Sequence, residues 1–234
     1  MFLVLDELID KVAAACNEKI QSSGLDPLVI EDIAIPFSLE QMSKAFGPLG
    51  GLMSLICSCL AKTVEGEIFL RNGQLLGLAT LARTLPTKVE VVDGSIKLTA
   101  GIGLTNLQTP FEPSFSVYQP SNNPEVSGDS PDVPDDDVSE QVIAIVEKVG
   151  ILCSLTLPLQ GASTAGSVEF DPPLEDLPVE VDVKLHDLAQ LEPLVKSQVI
   201  DPVRNKLVSV LRSQVKELVQ EKLQSIIPGL GAFT

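Results

Sequence analysis

From Pro193 to Ile227 the apolar residues Val195, Val199, Val203, Leu207, Leu211, Val215, Leu218 and Leu223 recur at steps of three, four or five. That period belongs to a helix, and a wholly helical segment of this length is about 50 Å long. Whatever else the chain builds must cover this stripe. Pro202, after Asp201, is expected to kink or restart the helix, and Pro228-Gly229 to stop it.

A second helical pattern opens the chain. In LDELIDKVAAACNEKIQ the residues Leu5, Leu8, Ile9, Val12, Ala15, Cys16 and Ile20 fall at steps of three and four, with Asp6, Glu7 and Asp10 near the positive N-terminal end. Ser22-Ser23-Gly24 ends it, and Asp26-Pro27 starts an extended passage toward Pro36.

Between the two helices the period changes to that of strands. Residues 63–70, 74–81, 87–92, 95–104 and 111–119 read as successive strands, parted by Asn72-Gly73, Leu85-Pro86, Asp93-Gly94 and Gln108-Thr109-Pro110. Asp93-Gly94 is the strongest hairpin signal. Strand patterns resume at 141–146, 150–157, 167–170 and 179–185, the last alternating Val179, Val181, Val183 and Leu185 inward. Helix, many antiparallel strands, long helix is the order of an α+β domain. With 234 residues, one domain over 1–234 is expected. The Pro-, Ser-, Asn- and Asp-rich stretch at 120–139 has almost nothing to bury and reads as a mobile acidic loop. Its acids lack the spacing of a calcium-binding loop.

The composition narrows the function. Hydrophobic residues make up 44% of the chain but aromatics only 4%, with no Trp and one Tyr, so the interior must be aliphatic. A formal charge of −16 and a pI near 4.3 exclude nucleic acid as a partner. The start, MFLVLDELIDK, lacks the basic and apolar regions of a secretory leader, and the uncharged run 45–61 is short for a membrane span and carries Gly47, Pro48, Gly50 and Gly51. Four cysteines, Cys16, Cys57, Cys59 and Cys153, leave their pairing open between buried thiols and a structural disulfide. Catalysis finds few candidates. His186 is the only histidine, GASTAG at 161–166 has the wrong spacing for a nucleophile elbow, and GIGLTN at 101–106 fails the dinucleotide pattern at its last place. The chain does not read as an enzyme, and neither a metal nor a catalytic cofactor is expected.

What remains is a surplus of apolar side chains. In TVEGEIFLRNGQLLGLATLA, from Thr63 to Ala82, the second strand is apolar on both faces: Leu76 and Leu78 point one way, Leu75, Ala79 and Leu81 the other. A strand of this kind touches a core and something else. Aliphatic walls with few fixed polar groups select a ligand by shape and apolar area.

The first helix running into Leu25-Asp26-Pro27, the segment GEIFLRNGQLLGLATLART at 66–84 and the long C-terminal helix together resemble the mite group-seven allergens. More distantly, they resemble the arthropod takeout and juvenile-hormone-binding proteins of the tubular lipid-binding superfamily. The resemblance implies a super-roll, a strongly curved antiparallel sheet wrapped around the long C-terminal helix with the N-terminal helix alongside. It also implies an apolar tunnel and a protein of secreted fluid whose leader has been removed.

The expected function is a soluble, non-catalytic carrier of a fatty acid, sterol, isoprenoid or carotenoid. Leu76, Leu78, Ile96, Leu98, Ile102, Phe115 and Val117 of the sheet and Val199, Val203, Leu207 and Leu211 of the long helix are the candidate ligand contacts. The alternative is an interaction module whose surplus apolar surface forms a homodimer or touches a membrane transiently through 45–61.

Overall fold

The computed structural model describes residues 2–38, 65–118, 140–158, 164–185, 189, 192–226 and 230–233. The 45–61 run, the 120–139 stretch, His186, Cys57 and Cys59 lie outside the described residues.

Helix α1, Phe2–Ser22, buries Ile9, Val12, Cys16 and Ile20 on one stripe. Gly24, at φ 67, closes it, and the Leu25 N–H turns back to the Ile20 carbonyl at 3.0 Å. Among the described residues ten strands follow: β1 (Leu28–Ile30), β2 (Ile33–Ser38), β3 (Glu65–Arg71), β4 (Gly73–Leu75), β5 (Ala82–Val92), β6 (Ser95–Tyr118), β7 (Gln141–Pro158), β8 (Thr164–Asp171), β9 (Glu180–Lys184) and β10 (Leu230–Phe233). The main sheet runs β10-β8-β7-β6-β3-β2, with β5 on β6 and β9 on β7, while β1 pairs with β4. Every pairing is antiparallel except β10 with β8.

The long strands β6 and β7 are the spine of the fold. Leaving glycines aside, the buried side chains of β6 up to Leu104 are even-numbered, Ala100, Ile102 and Leu104; beyond Asn106 they are odd-numbered, Leu107, Thr109 and Phe111. Its partner changes face at the same level, from Val142, Ala144 and Val146 to Val149, Ile151, Cys153 and Leu155. The ladder keeps its register across the change, with Thr105 opposite Lys148 and Leu107 opposite Val146. A strand has a period of two, so both faces can exchange only if the ribbon itself turns over. Thr105, Asn106, Glu147 and Lys148 are all exposed there, and Asn106 takes φ 54. The sheet coils at this point and keeps its apolar side inward in both halves.

The chain breaks expected at Gln108-Thr109-Pro110 and after Val146 are therefore not breaks. Gln108 directs its N–H away from β7, to the Leu76 carbonyl. Pro110, two residues on, shares that orientation, so the N–H it lacks falls where β6 has no ladder partner between Leu76 and Arg71.

The C-terminal helix is continuous through α2 (Glu192–Val210), a π-helical turn (Leu211–Lys216) and α3 (Glu217–Ile226). Pro202 lies inside α2 without ending it. Apolar residues four apart drift by about 40° per step on a regular α-helix. The wider π turn offsets that drift, so Leu207, Leu211 and Val215 all stay buried. The α2 end packs on β9 and β2, and α3 packs on α1 and β8, so one helix fills both halves of the curved sheet. The architecture is α+β, a curled antiparallel sheet around a long C-terminal helix, with α1 alongside.

The Asn72-Gly73 pair is not the hairpin turn that its sequence predicts. Strands β3 and β4 run on in one direction, both antiparallel to β6: Arg71 pairs with Glu112, and Leu76 bridges to Gln108. The chain accommodates one extra residue at Asn72, φ 54, whose amide donates to the Glu112 carboxylate. This bulge switches the inward set from Ile68 and Leu70 to Gly73 and Leu75. Gly73 is required by packing, because a Cβ there would stand 2.3 Å from Cε1 of Phe111.

Candidate functional site: the inner face of the sheet

The segment after β4 explains its two-sided apolarity. Gly77, φ 92, turns the chain into a 3₁₀ turn at Leu78–Thr80, and the Asp26 carboxylate accepts the N–H groups of Gly77 at 3.0 Å and Ala79 at 2.7 Å. Leu75, Leu78 and Leu81, spaced by three, are buried, whereas Leu76 is left 36% exposed. A helical turn, and not a second strand, covers the apolar residues.

The inner face of the other half is built from cross-strand rows. Asp93 and Gly94, at φ 47 and 71, make the tight turn between β5 and β6. One row is Val91, Ile96 and Leu157; the next is Val89, Leu98 and Leu155; deeper lie Ala100 and Cys153. Exposure rises steadily along this face toward the turn. Ile102 is 0% exposed and Ala100 3%, Leu98 and Ile96 are half-buried, and Val91 is 72% exposed. The apolar floor thus runs without interruption from the core to an open rim.

A cavity of about 20 Å³ sits midway, between Leu8 and Ile9 of α1, Leu98, Thr99 and Ala100 of β6, Cys153 and Leu155 of β7, Leu223 of α3, and Thr87 of β5. Among the described residues, no charged side chain lines it. Its size is that of roughly one water molecule. Cys16 and Cys153 are both free and buried. Burial pushes the Cys16 thiol up to about 11 and that of Cys153 up to about 12, so both remain protonated and unreactive.

One wall of this cavity is α1, and a polar seam holds it against the outer edge of β5. Asp6 accepts the Thr87 N–H at 2.8 Å and pairs with Arg83 at 2.8 Å; Asp10 accepts from Arg83 Nε at 2.9 Å. The Thr87 N–H, with the Arg83 charge beside it, holds the Asp6 carboxyl below its ordinary value. Farther along, Asn17 pairs with the backbone of Leu81. The seam was missed in the sequence. Its signal is the polar stripe Asp6, Asp10 and Asn17, at helical spacing, beside the apolar stripe of α1.

The structure scatters the candidate contacts. Leu98 lines the cavity and Ile96 stands at the rim. Leu78, Ile102, Val199, Val203, Leu207 and Leu211 are buried in the core, and Phe115 is half-buried against it. Leu76 faces outward, and the Val117 side chain lies outside the described residues. Leu8, Ile9, Leu155 and Leu223 join Leu98 at the cavity without having been singled out. Among the described residues, no cluster of three or more His, Cys, Asp or Glu side chains is placed to hold a metal ion, and no helix is long and apolar enough to cross a membrane.

No protein-family model matches the chain, and no curated protein matches it significantly. Among solved structures it is similar to Takeout 1 of Epiphyas postvittana, with 12% sequence identity, a TM-score of 0.32, and coverage of 87% of this chain and 81% of that one.

Proposed function

We propose that the protein is a non-catalytic carrier of a hydrophobic small molecule, held between α1, α3 and the inner face of β5–β8. The observation that carries this reading is the uninterrupted apolar floor from Ile102 through Leu98 to Val91, with an uncharged cavity along it. Area burial and dispersion are non-directional, so such walls hold an alkyl or isoprenoid chain by apolar contact.

At about 20 Å³ the cavity is far smaller than such a ligand. Binding therefore requires α1 and α3 to move off the sheet. Helix α1 is suited to that, because on the β5 side it is held by polar contacts near solvent, the Asp6–Arg83–Asp10 group among them. Ligands with one long apolar chain, such as a fatty acid, an isoprenoid or a carotenoid, fit a cleft opened along the floor. A fluid-borne carrier also suits a chain of −16, which remains dispersed despite its apolar content.

The test is uptake of a fluorescent fatty acid by the purified protein in vesicle-free buffer, followed by displacement with an unlabelled fatty acid, a sterol and a carotenoid. Saturable uptake with displacement by at least one of them is expected. Absence of uptake for all of them overturns the carrier reading.

A further inference from the structure

We propose that the open end of the β5–β6 hairpin is a docking surface for a zwitterionic lipid layer. The inference rests on the carrier reading for its purpose, since it places the rim of the apolar floor at the source of the ligand. The docking itself is measured independently.

Three observations support it. Val91 and Val92, side by side at the tip, are 72% and 47% exposed, in a chain where most large aliphatic side chains among the described residues are covered. Val91 belongs to the same cross-strand row as Ile96 and Leu157, so one side of the tip is the outermost row of the apolar floor. A lipid surface covering Val91 would therefore be continuous with the path to the cavity.

The third observation is charge. The chain carries −16, yet the outer hairpin from Lys88 to Leu98 has two bases, Lys88 and Lys97, and two acids, Glu90 and Asp93. Lys88 pairs with Glu90 at 2.6 Å, and this pair remains in solvent. A tip with both signs and no net charge complements a headgroup layer that also has both signs and no net charge. The anionic remainder is screened beyond about 8 Å at physiological salt, so it does not prevent contact by the tip. An anionic layer gains nothing from a neutral tip, and an apolar protein partner would gain nothing from the charges of both signs.

The experiment is flotation of the whole protein with phosphatidylcholine vesicles, beside vesicles containing phosphatidylserine. The wild type is expected to float with phosphatidylcholine and no more strongly with phosphatidylserine. In V91D/V92D the floated fraction is expected to fall about tenfold or more, because two aliphatic contacts are lost. The milder V91S/V92S should fall in the same direction, which guards against a folding defect in the first variant. Val92, opposite Ser95, points away from the floor, so V92S alone should lower the floated fraction in the same direction while fatty-acid uptake in vesicle-free buffer stays within about twofold.

The proposal is overturned if the wild type does not float, if it floats only with phosphatidylserine, or if both double variants float like the wild type. A valine-dependent dimer in sedimentation velocity, without flotation, overturns it in favour of a second copy on this surface. Failure of uptake with flotation intact removes the carrier reading and leaves the docking surface standing.

Discussion

The side-chain amide of Asn17 completes the backbone of Leu81. Its Nδ2 donates to the Leu81 carbonyl at 2.8 Å and its Oδ1 accepts the Leu81 N–H at 2.9 Å. Leu81 immediately precedes β5, whose one ladder partner among the described residues is β6, so α1 supplies through a side chain what a neighbouring strand would supply. Asn17→Ala leaves both groups part-buried and unpaired, at a cost of about 2 kcal/mol. Urea denaturation followed by circular dichroism should show this loss, with faster hydrogen exchange at Leu81.

The Asp6 carboxyl gives the seam a pH dependence. Its folded-state pKa is depressed, first by the Thr87 N–H and then by the Arg83 charge. Its contribution is thus present above the unfolded value near ~3.9 and is lost as pH falls through the lower folded value. Asp6→Asn is expected to melt below the wild type at neutral pH, and the difference should close as acid protonates the carboxylate. A gap that stays constant across a melting series from neutral to acid pH would show that the charge is not what matters.

Gly73 and Phe111 form a tight pair, with room for hydrogen only. Gly73→Ala puts a methyl group into the ring and should destabilise by about 1–3 kcal/mol. Phe111→Ala removes both clashing ring carbons, Cε1 and Cδ1, so the double variant should lose less than the sum of the single losses. A denaturation double-mutant cycle measures that coupling, and strict additivity would contradict the contact.

Leu211 and Leu76 separate core from surface. Leu211 lies at the start of the π turn and is 0% exposed, so Leu211→Ala should cost about 2–5 kcal/mol. Leu76 is partly exposed, and Leu76→Ala should fall within about 0.5 kcal/mol of the wild type. Chemical denaturation of the two variants side by side compares them.

The helices, the Asp93-Gly94 turn and β9 were legible because each has one period and a recognisable end. Two features were not. Asn72-Gly73 also carries a local code for a two-residue turn, yet only Asn72 adopts positive φ, and tertiary packing against Phe111 and β1 makes it a bulge in a strand that continues. The break read at Gln108-Thr109-Pro110 and the one after Val146 come from a change of buried face. A change of face reads as the end of a strand unless the partner strand is seen to change at the same level. The candidate site was legible in kind, since the aliphatic floor around Leu98 and Ile96 follows from alternation. Its far wall was not, because Leu8, Ile9 and Leu223 meet that floor only through the packing of α1 on α3.

The carrier reading is tested most directly by native mass spectrometry of the protein incubated with a long-chain unsaturated fatty acid, comparing wild type with Leu155→Trp. Leu155 lines the cavity and is 7% exposed, so an indole there fills the space between the sheet and the helices. The account predicts a one-to-one adduct on the wild type and at least about tenfold weaker occupancy on a folded Leu155→Trp variant. A wild-type protein that carries no fatty acid, or a variant that carries as much as the wild type, would contradict it.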